Sequence, residues 1–197
     1  MKRSGLIILG IVVLFAIWAF SSYNGLVGQD EKVNKSWNDL QASYQKRLDQ
    51  IAQQVETVKG AAKFEQETLT KVIEARSKAT SITMETKDAT PENIEKFRQM
   101  QDQVNSEMKG ALSRLLVTVE QYPNLKANEN FQMLQKSIES LENEVGGDRK
   151  AFNEEVRVYN TKVRSFPANI MAGIFGFKVK EGFKADAEAS KRPEFKL

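Results

Sequence analysis

The sequence predicts an all-α protein: an up-and-down antiparallel helical bundle of three long helices and a short C-terminal helix, set behind an N-terminal transmembrane helix. Three observations predict it. An uncharged apolar run extends from Leu6 to Phe20 behind Lys2 and Arg3. From Val33 onward, apolar residues recur at intervals of three and four, the period of an amphipathic helix. Prolines and capping side chains fall where those stripes start and stop.

The apolar run spans about 15 residues, or roughly 22 Å of helix, which is short of the ~30 Å hydrocarbon core. Gly5 and the Ser21 to Val27 stretch supply the missing length, so the span is expected over 5–27, with Trp18 and Tyr23 suited to the headgroup boundary. A cleaved signal peptide is the competing reading, since Ala19 and Ser21 place small residues before a cut after Ser21. Lys2, Arg3 and the amino terminus favour a cytoplasmic N-terminus and an extracytoplasmic bundle. The expected organisation is a basic flank (1–4), the span (5–27), the bundle (28–183) and a charged, disordered tail (184–197).

The first amphipathic stripe runs Val33, Trp37, Leu40, Tyr44, Leu48, Ile51, Val55, Val58 and Ala62, then Leu69, Val72 and Ala79. Gly60 interrupts it and predicts a bend near Gly60 to Ala62. The pattern lapses from Thr80 to Ala89, which reads as a loop. Thr90 and Pro91 mark the next helix start, a hydroxyl N-cap before a proline with no amide proton to leave unpaired. That second stripe is Ile94, Phe97, Val104, Met108, Ala111, Leu115, Val119 and Tyr122, and Pro123 stops it. The turn from Asn124 to Ala127 is short, which makes its neighbouring helices antiparallel. Asn128 is placed to cap the third helix, with Phe131, Leu134, Ile138, Leu141, Val145, Phe152, Val156, Tyr159, Val163 and Phe166 as its stripe. Gly146 and Gly147 lie inside it and cost about 2 kcal/mol together in an exposed helix unless a kink or close packing uses them. Pro167 ends that helix, and a short apolar element follows from Ala168 to Phe177.

Composition narrows the chemistry. The chain has 29 basic and 26 acidic residues, and setting aside Lys2 and Arg3 reduces the net charge from +3 to +1, which leaves no basic field for nucleic acid. Histidine and cysteine are both absent. That removes the commonest general base and the usual zinc and copper ligands, so no cofactor or metal site is expected. Catalysis is then confined to carboxylates, lysines and hydroxyls. Glu56, Glu65 and Glu120 lie near apolar seams and define that remote enzymatic reading, with salt bridging as the plainer account.

Several stretches resemble a known family. Ala111-Leu112-Ser113-Arg114-Leu115-Leu116, the run from Glu120-Gln121-Tyr122-Pro123-Asn124-Leu125 to Phe131, Tyr159-Asn160, Phe166-Pro167 and Phe175-Gly176-Phe177 look like the LemA family. Tyr23-Asn24-Gly25-Leu26-Val27 and Val55-Glu56-Thr57-Val58-Lys59-Gly60 fit its pattern too. The resemblance runs from the anchor to about Phe183. It implies a bacterial envelope protein with one N-terminal transmembrane helix and an all-helical bundle, and it brings no established biochemical activity. The chain departs from the family at Gln50-Ile51-Ala52-Gln53-Gln54, where a proline and an asparagine are common, which predicts a straighter first helix. It departs again at Phe64-Glu65, where a histidine often precedes the glutamate.

Three surfaces are candidates for function. Asn153, Arg157, Asn160 and Arg164 follow one another at helical spacing and form a polar ridge able to hold a carboxylate, a phosphate or an acidic partner helix, or to pair with neighbouring glutamates. Asn124, Asn128, Glu129 and Asn130 sit at a helix start, where they serve either recognition or capping. Ile170, Ile174, Phe175 and Phe177 belong to a segment that either folds back as a plug on the bundle end or meets a membrane surface or a partner. The expected function is a non-enzymatic interaction or scaffold module of the cell envelope, tethered to the bilayer and docking envelope or membrane proteins. The alternative is a lipid or small-ligand handling protein with a groove near Gly146-Gly147.

Overall fold

A computed structural model describes residues 3–59, 88–121 and 129–183, together with Thr70, Ile73, Glu74, Ser77 and Ser81. The protein is all-α among these residues. The first helix, α1 (Arg3–Lys59), is continuous through 57 residues. It passes without a break through Gln50 to Gln54. Helix α2 covers Pro91–Gln121, α3 covers Glu129–Arg164 and α4 covers Ala168–Phe175.

Local chemistry accounts for the helix ends. Thr90 caps α2, its Oγ1 accepting from the Asn93 amide at 3.2 Å, while Pro91 and Glu92 occupy the first turn. Glu129 in the first turn of α3 and Lys162 and Arg164 in its last turn complement the helix dipole. At the end of α4, Gly176 adopts a left-handed φ of 75°, and the Phe177 amide donates to the Ala172 carbonyl at 2.9 Å. The predicted bend at Gly60 to Ala62, the Asn128 cap and the charged tail lie outside the described residues. The loop predicted from Thr80 to Ala89 is corrected at Ser81, which is helical and whose Oγ donates to the Ser77 carbonyl.

Cross-helix contacts set the directions. Gln29 meets Glu155, Lys46 meets Glu144 and Gln54 meets Ser137, so α3 descends as α1 rises. Phe97 lies beside Trp37 and Tyr44, and Asn105 accepts from Arg47, so α2 rises with α1.

Core formation starts abruptly along α1. Leu26, Val33, Trp37, Leu40, Tyr44, Leu48, Ile51 and Val55 are buried, whereas the side chains from Leu6 to Ile17 are exposed. At the centre, Trp37 stands 5.0 Å from Phe97 and 5.3 Å from Phe152 between ring centroids, and Phe183 completes the group at 5.9 Å from Phe152. Such tilted and edge-on ring pairs add specificity to the apolar burial. Trp37, Phe97, Met108 and Phe152 are thus core residues, as their helical spacing predicts. Helix α3 runs unbroken through Gly146 and Gly147, and a Cβ at either would meet nothing within 4 Å. Close packing therefore does not explain these glycines.

Candidate interaction surface

The C-terminal part of the chain positions two adjoining surfaces. Below α3, the Lys162 ammonium donates to the Gly25 carbonyl at 2.6 Å, which fixes the last turn of α3 to α1 at that level. The chain then turns through Ser165 to Pro167, with the Asn169 amide bonded to the Ser165 carbonyl, and enters α4. Met171 and Ala172 of α4 are buried in the core cluster. Tyr23 packs 4.7 Å from Phe175 and 5.9 Å from Phe177, and Phe177 is half-buried against the core. Ile170, Ile174 and Phe175 face outward, as does Phe166 at the turn. The two sequence readings of this segment thus fall to different residues: Met171 and Ala172 plug the bundle, while Ile170, Ile174 and Phe175 form an exposed apolar face.

Beyond Phe177 the chain runs back along α3 as an extended strap, 177–183. Two asparagine amides hold it. Asn160 donates to the Lys180 carbonyl at 2.7 Å and accepts from the Lys180 amide at 2.8 Å. Asn153 does the same for Phe183, at 2.9 and 2.7 Å. Each carboxamide mimics the paired donor and acceptor of a neighbouring strand, which an irregular half-buried backbone requires. Gly182 allows the close approach, because a Cβ there would sit 2.6 Å from the Asn153 Oδ1. Lys180 anchors the strap further through Asp30 at 2.8 Å, its Nζ lying 5.4 Å from the centroid of the Tyr159 ring. Burial, aided by the nearby Asp30 charge, pushes the Tyr159 hydroxyl up to about 12.

The polar ridge therefore divides. Asn153 and Asn160 face the strap and have their amides engaged by its backbone. Arg157 is exposed and pairs with Glu154 one turn away at 2.5 Å, an intrahelical partner rather than a glutamate on a neighbouring helix. That hydrogen bond holds the Glu154 carboxyl below its ordinary range. All four ridge residues, Asn153, Arg157, Asn160 and Arg164, line an open groove of ≈ 410 Å³ between α3 and the strap, together with Glu181. Gly146 and Gly147 do not line it. At the opposite end, Glu129 is exposed and Asn130 half-buried, while Asn124 and Asn128 lie outside the described residues. Glu56 is exposed on α1, and the side chains of Glu65 and Glu120 lie outside the described residues. Among the described residues no group of three or more acidic side chains is placed to hold a metal ion.

One polar layer escaped the sequence reading. Arg47, buried within the bundle, donates to Glu142 at 2.9 Å and to Asn105, and its guanidinium lies 5.3 Å from the Tyr44 ring centroid. Arg149 donates to the Tyr44 hydroxyl at 2.5 Å and lies 5.6 Å from the Phe183 ring. Desolvation raises the Tyr44 hydroxyl above its ordinary value despite both guanidiniums. The layer ties α1, α2 and α3 in one register, the best-attested use of buried charge. A basic residue one position from the apolar stripe, Arg47 beside Leu48, is its faint sequence signal.

These features define an all-α bundle protein whose first helix continues into an apolar stretch long enough to cross a membrane. Comparison with known proteins gives the class its family. The model described as LemA family matches residues 36–197, and the chain belongs to that family. Protein LemA of Metamycoplasma hominis is 25% identical over 149 residues, 76% of this chain and 63% of that protein. Magnetosome protein MamQ 2 of Paramagnetospirillum magneticum is 32% identical over 74 residues, 38% of this chain and 27% of its own length. Magnetosome protein MamQ of Magnetospirillum gryphiswaldense is 33% identical over 73 residues, 37% of this chain and 27% of that protein. The chain spans less than two thirds of the length of each of these relatives.

Proposed function

We propose that the protein is a non-enzymatic scaffold of the bacterial cell envelope, a single-pass protein with a cytoplasmic N-terminus whose extracytoplasmic bundle docks other envelope proteins. The observation that carries this reading is the continuity of α1: the helix that offers exposed apolar side chains at Leu6 to Ile17 is the one that buries Trp37 and Tyr44. With no break between the two roles, the bundle stands at a fixed height. From Phe20 to Lys59 the helix extends roughly 58 Å at ~1.5 Å per residue. A tethered rigid rod raises the local concentration of its docking face for partners in the same membrane. The basic N-terminal flank supports the orientation. Relatives named for the magnetosome rather than for a reaction fit an interaction role.

Two measurements test it. Protease added outside cells whose outer barrier alone is opened should digest the bundle while the N-terminal flank stays protected; the reverse pattern overturns the orientation. A photo-crosslinking residue in place of Arg157, beside the groove, should trap a small reproducible set of envelope proteins. Random neighbours matching those trapped from Ala42, an exposed site on α1, would remove the docking role.

A further inference from the structure

We infer that α4 is a second membrane contact, an interfacial helix that lays Ile170, Ile174 and Phe175 into the lipid headgroup and acyl boundary beside the transmembrane span. The inference rests on the membrane anchoring of α1, and it adds a lipid-binding face to the bundle itself.

Height is the first argument. The Lys162 to Gly25 bond ends α3 at Gly25, and α4 continues below it, with Phe175 against Tyr23. Trp18 and Ala19 are half-buried against the core at the end of a span whose neighbours Ile17 and Phe20 are 61% and 73% exposed. Trp18 and Tyr23 bracket the level at which α1 leaves hydrocarbon. A bilayer that accepts Leu6 to Phe20 therefore meets α4 at its surface.

Chemistry is the second. Residues 166–177 carry no charge, while Arg164 before them and Lys178 after them are exposed cations. An apolar face with basic flanks fits anionic lipid, the side chains reaching acyl chains and the cations reaching phosphates. The division of α4 is the third. Met171 and Ala172 hold the helix on the bundle, so the outward Ile170, Ile174 and Phe175 are presented by a docked element. An exposed apolar face at the height of a bilayer surface is matched by lipid without any further partner.

The absence of cysteine makes the test direct. Single variants Ile174→Cys and Ile170→Cys of the full chain, with Ile11→Cys and Ala42→Cys as references, would carry nitroxide labels in vesicles of phosphatidylglycerol and phosphatidylethanolamine. Ala42 is exposed on the bundle part of α1 and supplies the water-facing standard. Relative to position 42, collision with a water-soluble nickel chelate should fall at least about fivefold at positions 11, 170 and 174, with oxygen collision rising. Two sites on α4 guard against a local disturbance by either label. Water-like values at both α4 sites beside a lipid-like Ile11 would overturn the inference and leave the anchor standing. Spectral broadening at 170 and 174 that disappears on dilution with unlabelled protein would overturn it in favour of a second copy of the chain. Water-like values at Ile11 as well would remove the anchor and the inference together.

Discussion

Leu6 to Phe20 and Leu26 to Val55 belong to one helix, yet they treat apolar side chains in opposite ways. The first stretch presents them on every side as far as Ile17, with Leu6 56% and Leu14 68% exposed, whereas the second hides a single stripe, with Leu26, Val33, Trp37 and Leu40 at 0%. The same backbone serves both because helix geometry satisfies its own amide and carbonyl groups in any solvent. What changes is the fit: a whole apolar circumference suits lipid, whereas a bundle takes one face. The changeover occupies the few residues from Trp18 to Leu26, where α4 packs.

The largest way to break this contrast is at its buried side. Trp37→Ala should lower bundle stability by about 3–5 kcal/mol, because it empties the centre of the ring group. Ile11→Ala in the exposed stretch should leave the unfolding midpoint unchanged, and equal effects in denaturant titrations of the full chain would refute the division. A smaller effect sharpens the boundary between helix and strap. Asn153→Ala removes both bonds to Phe183 and should cost about 1–3 kcal/mol, with faster amide exchange at Phe183 than at Val156.

Smaller again is a pH effect on the buried stretch alone. Tyr159 is raised in the folded protein to about 12 from an ordinary 10.0. The folded state then holds its proton more tightly, so the stability it gives is complete below pH 10 and is lost as pH rises toward 12. Urea midpoints should therefore fall across that window and recover partly in Tyr159→Phe. The smallest effect belongs to the surface. Arg157→Ala removes an exposed ion pair with Glu154 and should leave the midpoint unmoved, while changing any binding in the groove.

Much of the architecture was legible because helical period and punctuation are local. Leu40, Tyr44, Leu48 and Ile51 announce a buried stripe by spacing alone, and Thr90-Pro91 announces a helix start by capping chemistry. Direction was harder. Period has no sign, so the parallel course of α1 and α2 emerged only from Phe97 lying on Trp37 and Tyr44. The ridge shows the same limit: Asn153 and Asn160 were found by helical spacing, but their bonds to residues 183 and 180 depend on a strap whose path leaves no periodic trace. Arg47 and Gly182 were missed because each matters only through distant partners, Glu142 and Asn105 for one and Asn153 for the other.

The upward return of the strap has a practical consequence for anything joined beyond it. Phe183 reaches the storey of Trp37, about 21 Å along the helix from Tyr23 at ~1.5 Å per residue. A fluorophore or affinity handle inserted directly after Phe183 would thus set out from the level of Trp37, well above Tyr23.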